Sequence, residues 1–460
     1  MTAQELVEQA LAASTADGCI VVANENTQAN LRWAGNSLTT NGQMQSRSVT
    51  VISTFDRSEG TSVGVVTRSV TNAEELDALV RASERSGRAA GPADDAAPLV
   101  ENYPNDDDWD AEPSSTSVAV FERFAPALGA QFDRWAKDDR LLFGFAEHQL
   151  TSTFVATSTG LRRRFDQPDG SVQINGKSAD YSRSAFAGQH TNDFTDVDVD
   201  ALVGSVEQRL DWAANRVELP AGRYETIMPP STVADLMIYA YWTASARDAE
   251  EGRNVYAAHN TATRIGESLS SLPLRLHSDP SYPGLQCAPF DVVTTSEGAL
   301  QSVFDNGAPT GSAEWIRDGK LADLVRTRSW AARTGMQPRP LVGNLILDGG
   351  GTASVEQMIA GTERGLLLTC LWYIREVDPQ TLLLTGLTRD GVYLVENGAV
   401  TAAVNNFRFN ESPIDLLGRV TEVGRTEPTL SREWGDYFSR TAMPALRVPD
   451  FNMSTVSQAS

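Results

Sequence analysis

Apolar and polar positions alternate between helical and strand spacings along most of the chain. Thr2-x-x-Glu5 is a capping-box pattern, and Leu6, Val7, Ala10 and Leu11 follow on one face, so the chain opens with a helix. Residues 19–23 read as a strand and 30–38 as another, reaching Gly42 through a polar turn. Residues 46–55 and 62–69 alternate well enough to pair as a hairpin around Arg57-Ser58-Glu59-Gly60. Thr71-x-x-Glu74 then caps a second helix, with Leu76, Leu79, Val80 and Ser83 facing inward. A further helix spans about 117–136, bent at Pro126, and 141–164 supplies two strands, with Ser158-Thr159-Gly160 as a neighbouring turn. Val199, Leu202, Val203, Val206, Leu210 and Ala213 form the apolar stripe of a core-packing helix within 196–216.

Beyond this point a short strand at 224–228 precedes 231–251, where Leu236, Met237, Ala240, Ala244 and Arg247 recur at helical spacing after a Ser231 cap. That spacing predicts one helix of about five turns. The rest is strand-rich. Residues 341–347 read as a strand and 366–374 as a buried one, 381–387 and 392–395 as a meander, and 399–409 as the return strand of a hairpin turned at Glu396-Asn397-Gly398. The predicted fold is α+β, with helices over an antiparallel sheet in the N-terminal half and a strand-rich C-terminal half. The expected divisions are 1–88, an acidic linker or loop at 89–117, a central α/β segment at 118–218, and the β-rich domain at 219–460.

Composition narrows the partners. The formal net charge of −22 argues against nucleic acid or an anionic membrane surface. Cys19, Cys287 and Cys370 lie far apart without C-x-x-C spacing, which favours free thiols in a reducing compartment. With no signal-peptide pattern and no apolar run near the ~18 residues of a membrane span, a cytoplasmic protein is expected. The run Asp106-Asp107-Asp108 lacks the glycine and terminal glutamate of a calcium loop and reads as part of a solvated linker.

Three candidate chemistries lose to plainer readings. Gly60-Thr61-Ser62-Val63-Gly64 matches G-x-S-x-G, but the turn precedes the serine and a strand, not a helix, follows it. Gly349-Gly350-Gly351 stands between a strand and a helix but lacks the Lys-Ser/Thr of a phosphate loop, so a tight turn capped by Ser354 or Thr352 is expected. His148, His190, His259 and His277 show no helical or hairpin spacing for a local zinc motif.

The segment NLILDGGGTASVEQMIAGTERGLLLT, with LWYIREVDPQTLLLTGLTRDGVYLVENGAV and NNFRFNESPIDLL after it, resembles the TldD/PmbA family. FDNGAPT, EWIRDGKLADLVRTRSWAARTG and LPAGRYETIMPPSTVADLM extend the likeness over most of the chain, most specifically between 341 and 415. The resemblance implies an N-terminal α/β portion with a C-terminal β-rich, barrel-like domain, and a cytoplasmic complex in which a catalytic TldD subunit pairs with a related TldE, or PmbA, subunit. Such complexes are zinc metalloproteases that act on unfolded or modified peptides. The catalytic signature is HExxxH on a helix plus a late cysteine: two imidazoles and a thiolate for Zn²⁺, and a glutamate to activate water.

Aligned without a gap from Ile265-Gly266-Glu267, the histidine positions fall at Trp242 and Arg247 and the glutamate at Thr243. The cysteine is expected within 431–443, where there is none, and no histidine lies between His190 and His259. The resemblance is therefore to the non-catalytic, TldE/PmbA-like member, with no cofactor of its own and zinc expected in the catalytic partner. Its implied partners are a TldD-like HExxxH subunit and an extended peptide, with a homodimer left open. Trp372, Tyr373, Arg375 and Arg408 are the candidate peptide or partner surface, being residue types that dominate interfaces. A stand-alone peptide- or protein-binding regulator without proteolysis is the alternative, and a site around His259 and Asp248 a third.

Overall fold

The computed structural model describes residues 1–101, 103–259, 262–295 and 298–457, so Asn102 of the expected linker lies outside the described residues. The N-terminal helix α1 (Ala3–Ala13) carries the expected capping box. Six strands follow as an antiparallel sheet: β1 (Gly18–Trp33), β2 (Leu38–Arg57), β3 (Gly60–Arg68), β4 (Arg140–Thr157), β5 (Arg162–Ser178) and β6 (Ser184–Thr191). Their order is β3-β2-β1-β4-β5-β6. Helices α2 (Ala73–Ala89), α3 (Phe124–Lys137) and α4 (Val199–Trp212) join α1 on one face. Cys19, Val21 and Ala23 of β1 pack beneath α1 and α2, while Ala29, Leu31 and Trp33 pack beneath α3 and α4. Ile20 and Val22 point the other way, onto Phe290, Val293, Val303 and Phe304.

β1 runs unbroken through Asn24–Asn30, and the turn falls at 34–37 instead of at Gly42. The polar residues that resemble a loop in sequence belong to one long strand and alternate between its two faces; Asn24, for example, accepts from Thr153 at 2.8 Å. The cap of α2 is Asn72, not Thr71, with Glu75 in place of Glu74 at the reciprocal position, and the four inward residues are buried as expected. The hairpin at Arg57–Gly60 forms as the alternation predicts. Ser62 donates to the Gly87 carbonyl at 2.8 Å, and a Cβ on Gly64 would stand 2.2 Å from the Gly87 nitrogen. The G-x-S-x-G pattern thus serves close contact of α2 with β3.

Two carboxylates of the acidic run are ion-paired, although Asp108 remains more than half exposed. Asp106 meets Arg163 at 3.1 Å and Asp108 meets Arg164 at 2.7 Å.

The C-terminal half holds a second six-stranded sheet and a curled ten-stranded sheet, mostly antiparallel. Helix α5 (Pro230–Trp242) lies between them, with Val233, Leu236, Met237 and Tyr241 in a core shared with both. Two expected strands divide. Residues 366–374 split into Arg364–Leu368, inside the large sheet, and Trp372–Asp378 at its edge. Residues 399–409 split into Ala399–Val404 and Phe407–Glu411, which have different neighbours, so 381–396 is not a simple meander. The turn at Asn397-Gly398 has φ of 50° and 80°, as an Asn-Gly hairpin requires. Ser354 caps the helix after the glycine run, and a Cβ on Gly351 would lie 1.9 Å from the Val423 carbonyl oxygen, so that run serves close packing.

Candidate functional site

Pro229-Pro230 starts α5, with Pro230 in the first turn where its missing N–H leaves no helical bond unmade. Apolar residues on every side of α5 explain its burial. The helix stops at Trp242, and 246–250 forms a separate short helix, α6 (Ala246–Glu250), so the single five-turn helix does not form. The break has a local cause. Thr243 Oγ1 donates back to the Ala240 carbonyl at 3.0 Å, and Asn254 Nδ2 holds the carbonyls of Thr243 and Ser245 at 2.9 and 3.0 Å.

This break separates the three motif positions. Trp242 packs edge-on against Trp434 and Phe438, with ring centroids at 5.3 and 6.4 Å. Arg247 reaches Glu251 at 3.2 Å, Asp94 at 3.6 Å, and stacks 5.5 Å over Trp330. Indole, hydroxyl and guanidinium groups in these contacts do not fit a zinc ion. Among the described residues no group of three or more His, Cys, Asp or Glu side chains is placed to hold a metal.

The segment 431–443, where the late cysteine is expected, docks onto α5 as a strap. Glu433 N–H donates to Asp235 Oδ1 at 2.8 Å, and Trp434 Nε1 donates to the Asp235 carbonyl at 3.0 Å. Asp235 Oδ2 is buried without a partner. Burial pushes the Asp235 carboxyl up to about 8, the nearby Glu433 adding to the shift, so it is largely protonated at neutral pH. The Glu433 carboxylate accepts from the backbone N–H groups of Tyr373 and Ile374, both at 3.1 Å, and meets Arg375 at 3.4 Å. Tyr373 has a φ of 53°, a strained value for an aromatic residue, which brings successive N–H groups to bear on one anion.

The strap also reaches the polar face of the N-terminal sheet. Ser439 donates to Asp169 at 2.8 Å, Arg440 pairs with Asp169 at 3.3 Å, and Gln173 donates to Asp436 at 3.1 Å. Between sheet and strap lies a cavity of about 460 Å³ lined by Glu147, Gln149, Asp169, Gln173 and Asp436 among others. Burial raises the Glu147 carboxyl, while Gln28 donates to it. The cavity can hydrogen-bond polar chain atoms, and no histidine or cysteine is among its lining residues.

The histidines stay apart. His148 is satisfied by Thr116 and the Asn192 carbonyl, both at 2.7 Å, and His190 meets Asp169 at 3.2 Å. His277 is buried beside Tyr282, its imidazole pushed down by desolvation and then by Arg275. His259 is exposed, and Asp248 pairs with Arg253 at 2.6 Å.

Trp372, Tyr373 and Arg375 share the edge strand of the large sheet, and Arg408 stands two strands inward in the same row, through Leu387. Tyr373, Arg375 and Arg408 are exposed and Trp372 is half-buried, so all four reach the surface. Asp235, Arg432, Glu433 and Trp434 escaped the sequence reading. One signal was available: Asp235 is the sole charge in the apolar run from Pro229 to Trp242.

Over almost its whole length the chain shares its fold with TldE from Thermococcus kodakarensis (TM-score 0.77, 16% identity, 98% of this chain and 99% of that one). A putative modulator of a DNA gyrase from Thermotoga maritima is similar at TM-score 0.75 and 15% identity, over 98% and 99% of the two chains. A second such protein, from Bacteroides thetaiotaomicron, has TM-score 0.74 and 14% identity, over 99% and 98%. No curated protein matches the sequence. Residues 221–455, just over half of the chain, match the PmbA/TldA metallopeptidase C-terminal domain, and the protein is a member of the TldD/PmbA family.

Proposed function

We propose that this chain is the non-catalytic, TldE-like subunit of a zinc metalloprotease complex acting on unfolded or modified peptides in the cytoplasm. One observation carries the reading: the positions aligned with HExxxH hold Trp242, Thr243 and Arg247, each committed to packing or hydrogen bonds that leave no ligand set. The strap that would bring the late cysteine instead supplies Trp434 and Phe438. With zinc chemistry in the partner, this subunit contributes walls and hydrogen-bonding surface for an extended peptide. Tyr373, Arg375 and Arg408, with Trp372 behind them, are the proposed docking face for that partner. Among the described residues no helix is long and apolar enough to cross a membrane.

The test is co-expression with an HExxxH-bearing relative, followed by size-exclusion with light scattering and metal analysis of each subunit. A heteromer with zinc only in the relative is expected. Separate elution, with peptide turnover unaffected by this chain, would favour a stand-alone binding protein. One tightly held zinc per isolated chain would overturn the assignment.

A further inference from the structure

In a chain of net charge −22, three cations converge on one cavity between the N-terminal sheet and the C-terminal half. β6 has a sheet neighbour on one side only, and Trp372–Asp378 is likewise an edge strand. A groove of about 350 Å³ runs along 186–189 of β6, past the start of α5 and residues 427–430. Phe186 and Thr369 line both this groove and an adjoining cavity of about 330 Å³.

Lys177, Arg389 and Arg432 line the second cavity. The Arg432 guanidinium carbon lies 4.0 Å from the Phe186 ring centroid and 4.4 Å from that of Trp372. The guanidinium lies over both rings, and one nitrogen reaches Gln173 Oε1 at 3.3 Å. Lys177 Nζ stands 5.5 Å over the rings of Phe143 and Tyr181. Among the described residues none of the three cations has an ion-pair partner. Asp390 is the one carboxylate among the lining residues, and it accepts from Ser184 at 2.5 Å. Cys370, also in the lining, is pushed up to about 12 by burial and stays a neutral thiol.

We infer that this cavity binds the C-terminal carboxylate of an extended peptide whose backbone lies in the groove beside β6. An edge strand recognises main chain without regard to sequence, and a guanidinium fork with two further cations recognises the end of the chain. The inference rests on the peptide-handling reading above and adds where the peptide terminus is held.

The probe is a fluorescein-labelled ten-residue peptide of Ala, Val, Ser and Thr, as free acid and as C-terminal amide, titrated by anisotropy against the full chain. The acid is expected to bind about tenfold more tightly than the amide at low ionic strength, with the preference shrinking as salt is added. Arg432→Gln, and separately the double variant K177Q/R389Q outside the apolar core, should each reduce the preference to about twofold or less. Equal binding of acid and amide overturns the inference, as does absence of binding by both, or a preference that survives in both variants. An amide carrying an internal Glu that binds as tightly as the acid also overturns it. Assembly with the HExxxH relative is scored separately by light scattering. A chain that assembles normally but ignores the terminus loses this site and keeps its subunit role.

Discussion

The backbone N–H of Glu433 donates to Asp235 Oδ1 at 2.8 Å, fastening the strap to a helix buried on every side. Burial of the Asp235 carboxyl, which this bond only partly offsets, gives the fold a pH dependence. The Asp235 carboxyl titrates near 8 in the fold against an ordinary 3.8, so the folded chain binds more protons between those values. Its contribution to stability is therefore fully present at low pH and is lost as pH rises through about 8. Asp305, pushed up to about 6, and Asp291 act in the same sense. Asp235→Asn should flatten part of this slope and melt on the order of 5 °C above the parent near pH 8.5. Thermal melts from about pH 5 to 8.5 check it; equal slopes for both proteins would mean Asp235 does not titrate in this range.

Glu433 should be the strap's main polar anchor. Its carboxylate holds two consecutive backbone N–H groups at 3.1 Å, beside a residue with a φ of 53°. Glu433→Ala leaves those donors unmet, at a cost of about 1–3 kcal/mol. Hydrogen exchange should accelerate at 372–375 and 431–438 while α1 and α2 are unaffected. Unchanged protection at both segments would show that aromatic packing alone holds the strap.

Trp242→Ala removes the indole from between Trp434 and Phe438. For a large, half-buried aromatic the expected loss is about 2–4 kcal/mol, read by denaturant titration. Arg247→Ala, whose partner Asp94 is largely exposed, should cost about 1 kcal/mol or less and leave turnover by the assembled complex unchanged. A large loss of turnover from Arg247→Ala would place this side chain in the peptide path after all.

What the sequence reveals and conceals follows from which residues face which neighbours. The box at Thr2 and Glu5, the apolar stripe of α4 and the Asn397-Gly398 turn are local signals, and each forms as read. β1 misleads because 24–28 place polar side chains on both faces, Glu25 and Thr27 on the helix side among them, so a long strand looks like two. α5 ends early where Asn254, eleven residues beyond Thr243, takes the Thr243 carbonyl that a continued helix would use. That tryptophan, threonine and arginine side chains do not ligate zinc is legible from residue type alone. Their surroundings are not, because the strap arrives from nearly two hundred residues away, as the separation of Asp235 and Glu433 shows.

Assembly is the widest-reaching prediction. Trp372, Leu387 and Arg408 stand in register across three strands, beginning at an edge of the large sheet, and Tyr373 and Arg375 are exposed on that edge strand. An edge with exposed aromatic and arginine side chains is suited to a stable partner, and permanent interfaces bury on the order of 2,000 Å² or more. Charge reversal at its exposed corners, R375E/R408E, should weaken binding of the HExxxH relative at least tenfold. The melting temperature should shift little, because Arg375 is largely exposed and its ion pair is worth at most about 1 kcal/mol. Light scattering on dilution of the mixed subunits reads the affinity, and peptide turnover should fall in parallel as the heteromer dissociates. If R375E/R408E assembles as tightly as the parent, the docking face lies elsewhere on the chain; if the parent itself never pairs, the stand-alone binding protein becomes the better account.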